Sequence, residues 1–108
     1  MRILTSLVSI AVFLAAIPGA IAQNYPTKPV RVIIPGAPGA PPDILARAMA
    51  QSMSQALGQA WVVDNRVGAN GIIGMEAVVK AAPDGYTLSI TQGAPVSLNP
   101  YFYAKLSY

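Results

Sequence analysis

The sequence predicts an α/β fold, a βαβαβ order of elements around a parallel sheet. Two observations carry this. Three short runs rich in β-branched and apolar residues, Val30-Arg31-Val32-Ile33-Ile34, Trp61-Val62-Val63-Asp64 and Tyr86-Thr87-Leu88-Ser89-Ile90-Thr91, alternate with two stretches whose apolar residues recur at three and four. Glycine and proline punctuate the joints between them, at Pro35-Gly36, Gly58, Gly68 to Gly74 and Pro83-Asp84-Gly85.

In order, Gln23 to Pro29 carries two prolines and reads as an extended lead-in. Val30 to Ile34 is almost continuously apolar, which suits a strand buried on both faces of a parallel sheet. From Pro41 to Leu57 the residues Ile44, Leu45, Ala48, Met49, Met53, Ala56 and Leu57 outline the buried face of an amphipathic helix, with Met49 and Met53 as core filler. Prolines suit its first turn, Asp43 its orphan amides and Gly58 its end. After the second strand a glycine-rich turn opens a second helix with Ile72, Met75, Val79 and Ala82 as its buried stripe. Pro83-Asp84-Gly85 stops that helix and starts the third strand, with Leu88 and Ile90 on one face. Beyond it, Gly93-Ala94-Pro95 reads as a loop and Pro100 as the start of a short helix.

The first residues bear on compartment. Arg2 precedes an apolar run from Ile10 to Ile17, and Ala20-Ile21-Ala22 supplies a small-x-small cleavage site. Residues 1–22 therefore read as a secretory signal peptide, too short in its apolar run for the roughly 18–20 residues of a membrane span. Residues 23–108 then form one small exported unit with no stable membrane insertion. With no cysteine in the chain, its core must hold without disulfides. Of the seven basic residues behind the formal charge of +3, one leaves with the signal and the rest are scattered, so no nucleic-acid-binding patch forms.

Histidine is absent as well as cysteine. Ser-His-Asp and Cys-His catalysis and the usual zinc ligand sets therefore have no residues to build on, and no metal or cofactor site is expected. The four carboxylates fall in separate elements: Asp43 at a helix start, Asp64 at a strand end, Glu76 on an exposed helix face and Asp84 in a turn. The spacing Gly68-x-x-Gly71-x-x-Gly74 misses the dinucleotide fingerprint by one residue, and no acidic side chain ends the third strand. Two readings of these glycines remain open: backbone amides at a helix start that accept a carboxylate, or a tight turn with close helix packing.

Several blocks occur together in a fixed order. They are Tyr25-Pro26-Thr27-Lys28-Pro29-Val30-Arg31, Asp43-Ile44-Leu45-Ala46-Arg47, Leu57-Gly58-Gln59, Asn65 to Ala69, Ala81 to Leu88 and Asn99-Pro100. In this combination the chain resembles the periplasmic solute-binding proteins of tripartite tricarboxylate transporters, the Bug family. The resemblance implies a periplasmic-binding-protein, flytrap-like architecture of two lobes that captures a small carboxylate and hands it to membrane transporter subunits, with no catalytic activity. It also implies that the ligand is gripped by Gly36, Ala37, Gly39, Ala40 and Asp43 in the first loop, Ala69, Asn70 and Gly71 in the second, and Thr91, Gln92 and Gly93 in the third.

The chain departs from the family pattern in two ways. Pro41 and Pro42 stand where small residues with free N–H groups are usual, which weakens or redirects the first loop's grip. Residues 23–108 are also expected to amount to a partial first lobe, truncated before the second. The alternative expectation is a small exported, non-catalytic interaction or structural α/β domain.

Overall fold

The computed structural model describes residues 24–108, so the expected signal peptide and its cleavage point lie outside the described residues. Its elements are β1 (Val30–Ile34), α1 (Pro41–Leu57), β2 (Trp61–Asn65), a 3₁₀ turn (Ala69–Gly71), α2 (Ile72–Val79), β3 (Thr87–Ser89), a π-helical turn (Ala94–Leu98) and α3 (Asn99–Phe102). The strands form one parallel sheet in the order β2-β1-β3. Val30 pairs with Trp61 and Ile34 with Asn65 on one side, while Arg31 pairs with Thr87 and Ile33 with Ser89 on the other.

The apolar run of β1 takes the central place, where both faces are covered, and Val30, Val32, Ile33 and Ile34 are all buried. Val32 and Ile34 form the main core cluster with Ala46 of α1, flanked by Trp61, Val63 and Ile90. β3 is shorter than the expected run from Tyr86 to Thr91, yet its pairing reaches one residue further at each end. The Arg31 amide donates to the Tyr86 carbonyl (2.8 Å) and the Ile90 amide to the Ile33 carbonyl (3.3 Å).

α1 starts and ends as expected. Pro41 and Pro42 fill its first turn, where a missing N–H costs nothing, and Gly58 closes it at φ 70° with its amide on the Ser54 carbonyl (3.1 Å). Its buried face is different. Ile44, Leu45, Met49 and Leu57 are exposed, and Pro42, Asp43, Ala46 and Ala50 are buried instead. Met49 is thus no core filler, and Met53 is only half-buried. Alanines let a helix lie close to a sheet, and a carboxylate can share that face when its charge is met locally, as that of Asp43 is.

α2 also departs from the expected stripe. Gly74 is its buried residue; Ile72 and Met75 are half-buried, Val79 is exposed, and Ala82 lies beyond the helix end. Contact is made through a missing side chain, which a search for apolar periodicity does not register. The segment around Ala94 and Pro95 is a π-helical turn running directly into α3, where a loop and a helix starting at Pro100 were expected.

At the amino edge of the sheet, two of the sequence blocks meet. The Tyr25 hydroxyl donates to the Gly85 carbonyl (2.6 Å), the Thr27 amide donates to the Tyr86 hydroxyl (2.9 Å), and Lys28 pairs with Asp84 (2.9 Å). The rings of Tyr25 and Tyr86 lie 5.0 Å apart, and the Lys28 ammonium sits 4.4 Å from the Tyr86 ring centre. The lead-in is therefore tied to the turn before β3, at the end opposite the loops that follow the strands.

Candidate ligand-binding edge of the sheet

Because all three strands run parallel, the loops that follow them share one edge. The chain passes from β1 outward to β2, then crosses back over β1 to reach β3. With right-handed crossovers this reversal puts α1 and α2 on opposite faces and opens a crevice beyond the carboxyl ends of β1 and β3. Gly36 to Ala40, Ala69 to Gly71 and Thr91 to Gly93 all lie in these loops.

The loop after β1 is braced by the start of α1. Asp43, 2% exposed, accepts the Gly39 amide (2.8 Å) and both its oxygens accept the Arg47 Nε (3.0 and 3.1 Å). These bonds, the Arg47 bond foremost, lower the Asp43 carboxyl to about 2. Arg47 reaches on to the Asn65 side-chain oxygen (3.0 Å), and the Asn65 amide nitrogen donates to the Gly36 carbonyl (3.2 Å). One chain of bonds thus links the loop after β1 to the end of β2. Asp43 holds the loop's shape, and its carboxylate meets the positive end of the α1 dipole. The Ala40 amide is likewise used within the loop, on the Ala37 carbonyl (3.2 Å). Gly39 needs its glycine for a φ of 81°.

The loop after β2 turns left-handed. Gly68, Ala69, Asn70 and Gly71 have φ of 122°, 47°, 52° and 85° in succession, closed by a Gly71 amide to Gly68 carbonyl bond (3.0 Å). Left-handed backbone costs an L-residue such as Ala69 about 1–2 kcal/mol, less for asparagine, so a neighbouring contact must hold it. Gly71 is buried, and a Cβ there would stand 2.6 Å from Pro95 Cγ and 3.4 Å from the Pro35 carbonyl oxygen. Its position is set by packing between the other two loops. No acidic residue occupies the first turn of α2, so its amino end, unlike that of α1, keeps its positive dipole unanswered.

In the loop after β3 the Thr91 hydroxyl donates to the Gln92 carbonyl (3.1 Å), while Gln92 and Gly93 are exposed. The chain then folds back as the π-helical turn and α3 onto the left-handed turn. Asn99, wholly buried, accepts the Asn70 side-chain amide (2.7 Å) and donates to the Asn70 carbonyl (3.0 Å). Asn99 also donates to the Tyr108 hydroxyl (3.1 Å), which in turn donates to the Pro95 carbonyl.

Sequence reasoning assigned no site role to Arg47, Asn65, Pro95, Asn99 or Tyr108. Arg47, Asn65 and Asn99 stand inside the ordered blocks, which was the available signal. The other carboxylates serve surface pairs: Asp64 with Arg31 and Arg66, which lower its carboxyl, Glu76 with Lys80, and Asp84 with Lys28 and the Tyr86 amide. A cavity of about 280 Å³ opens between α1 and β2, lined by Arg47, Gln51, Ser54, Trp61 and neighbours, away from the left-handed turn. No helix among the described residues is long and apolar enough to cross a membrane.

Comparison with known proteins gives this edge its context. Residues 45–108 match the tripartite tricarboxylate transporter family receptor. The chain is 40% identical over 88 residues to protein BugT of Bordetella pertussis, a match covering 81% of this chain and 27% of BugT. Among solved structures it is similar to R. palustris Rpa4515 with adipate, at TM-score 0.74 and 36% identity over 78% of this chain and 28% of that one. It is also similar to MatC of Rhodopseudomonas palustris with bound malate, at TM-score 0.57 and 40% identity over 60% of this chain and 22% of that one. The match therefore spans only 22–28% of the length of these relatives. The matched family is one of transporter receptors, with solved members described as a periplasmic binding protein and a solute binding protein, not enzymes. On the sequence match and the shared parallel-sheet fold together, this chain belongs to the tripartite tricarboxylate transporter receptor family.

Proposed function

We propose that this chain supplies one wall of the binding cleft of an exported, periplasmic solute receptor, which captures a small carboxylate and passes it to membrane transporter subunits. The observation that carries the reading is the convergence of three glycine-bearing loops at the carboxyl edge of the sheet, in a family with relatives solved holding adipate and malate. The amides of Gly39, Ala40 and Gly71 are committed inside their own loops. The donors offered to a ligand are thus the backbone N–H groups of Gly36 and Ala37 in the loop after β1 and of Ala69 and Asn70 at the amino end of α2, with Thr91 to Gly93 completing the edge. Pro41 and Pro42 offer none, and Asp43 answers the α1 dipole itself. Anion recognition therefore shifts from the first helix to the second. Asp43 belongs to this site as the brace of the first loop.

Calorimetric titration of the exported chain with adipate, malate and citrate tests the reading. Saturable binding of at least one, with amide shifts in NMR spectra centred on Gly36, Ala37, Ala69 and Asn70, is the expected result. Shifts confined to the cavity between α1 and β2, or no binding to any of the three, would overturn it.

A further inference from the structure

Asn99 is the one wholly buried polar side chain among the described residues, and its partners are Asn70 in the left-handed turn and Tyr108 beyond α3. Both N–H bonds of its amide are used, one on the Asn70 carbonyl and one on the Tyr108 hydroxyl, and its oxygen accepts the Asn70 side chain. Turning that amide over would set its oxygen against the Asn70 carbonyl and its NH₂ against the Asn70 NH₂, so the bonds fix its orientation. The Tyr108 hydroxyl donates a hydrogen bond to the Pro95 carbonyl, and the Pro95 ring fills the space that a side chain on Gly71 would need. The left-handed turn is thereby held at two consecutive residues, Asn70 by hydrogen bonds and Gly71 by packing. It contains Ala69, a residue with no conformational reason of its own to be left-handed.

We propose that Asn99, backed by Tyr108, is a positioning residue for the ligand edge: it holds Gly68 to Gly71 left-handed and so sets the direction of the Ala69 and Asn70 amides without touching the ligand. The proposal rests on the ligand reading above. It makes affinity depend on a residue 29 positions away in sequence and buried from solvent. A buried asparagine that served only global stability would lower the melting temperature and leave the affinity of the folded protein unchanged.

The experiment compares the wild-type chain with Asn99→Asp and Tyr108→Phe. Asn99→Asp keeps the shape but places a carboxylate oxygen against the Asn70 carbonyl. Two readouts are taken: the HN–Hα couplings and amide shifts of Ala69 and Asn70, with Val32 and Ile33 as sheet references, and titration with adipate and malate. In Asn99→Asp the turn couplings should leave their left-handed values while the sheet references stay, and affinity for the bound acid should fall about fivefold to tenfold, as one or two lost hydrogen bonds would produce. Tyr108→Phe should move both readouts in the same direction by less, because the bonds to Asn70 remain. Unchanged couplings in Asn99→Asp, or changed couplings with unchanged affinity, would overturn the proposal. If Asn99→Asp does not fold, Tyr108→Phe and Asn70→Gly decide by the same criteria, since Asn70→Gly still permits a left-handed backbone. If the wild type binds neither acid, the ligand reading fails and the affinity claim with it, while the couplings still decide whether Asn99 sets the turn.

Discussion

Gly74 lies so close to Pro35 that a Cβ on the glycine would come within 2.8 Å of both the Cα and the Cβ of the proline, and 3.0 Å from the Arg66 carbonyl oxygen. The third glycine of Gly68-x-x-Gly71-x-x-Gly74 is thus where α2 meets the loop after β1, backbone against backbone. Of the two readings the sequence left open, close packing accounts for Gly74 and Gly71. The proposed ligand role rests on Ala69 and Asn70, between Gly68 and Gly71.

Gly74→Ala should cost about 1–3 kcal/mol, the range for overpacking a site that must shift backbone to make room. Gly36→Ala is the control, because a Cβ there meets only the Ile34 side chain at 3.9 Å, and it should stay within about 0.5 kcal/mol. Urea denaturation followed by circular dichroism measures both. Equal losses would show that the contact with Pro35 is not what fixes α2.

Acid should loosen the loop after β1. The Asp43 carboxyl is lowered to about 2 from an ordinary value near 3.8, so its contribution is complete above the ordinary value and disappears as pH falls through the lowered one. The stability gap between wild type and Asp43→Asn should accordingly be widest above pH ~5 and close towards pH ~2. Asp64 and Asp84 are lowered too and add to the acid sensitivity of both proteins, which makes the difference between them the informative quantity. Denaturation curves at stepped pH would show a constant gap if Asp43 held no such bonds.

Tyr25→Phe separates the two edges of the sheet. It removes the hydroxyl that donates to the Gly85 carbonyl and should cost about 0.5–1.5 kcal/mol. Any carboxylate affinity should be unchanged, since the tether lies at the amino ends of the strands. Thermal melts and titration of one preparation test both halves, and a fall in affinity would mean that the two edges are coupled.

Trp61 packs on the core cluster, yet its indole nitrogen is buried with no hydrogen-bond partner among the described residues. An unmet donor is a cost, so Trp61→Phe, which removes it, should change stability by less than about 1 kcal/mol despite the smaller ring. Trp61→Ala should lose about 2–4 kcal/mol from the cavity it leaves. Circular dichroism melts give the comparison. A loss in Trp61→Phe as large as in Trp61→Ala would mean that the nitrogen has a partner.

Local order was legible in the sequence because it is written in neighbours. The apolar run from Val30 to Ile34 marked the central strand, Pro41 and Gly58 marked the ends of α1, and Pro83-Asp84-Gly85 marked the break before β3. The ordered blocks identified the family, and the glycines marked the loops of the candidate edge. What those residues do there was decided by the tertiary structure. Periodicity chose Ile44, Leu45 and Met49 for the buried side of α1, but the sheet accepts the side of Asp43, Ala46 and Ala50, where small side chains permit close approach and Arg47 meets the charge. Tyr25 against Gly85 and Asn99 against Asn70 join residues 60 and 29 positions apart, and no local pattern encodes a hydrogen bond whose partner arrives only when the strands have paired. The sequence by itself determined which segments become the three strands and the two longer helices, since backbone preference and the spacing of apolar residues act over a few positions, while the π-helical turn at Ala94–Leu98 escaped it. The tertiary structure alone decided which helix face is buried, which glycines are crowded and which distant side chains brace the loops, because each depends on how closely segments distant in the chain approach one another.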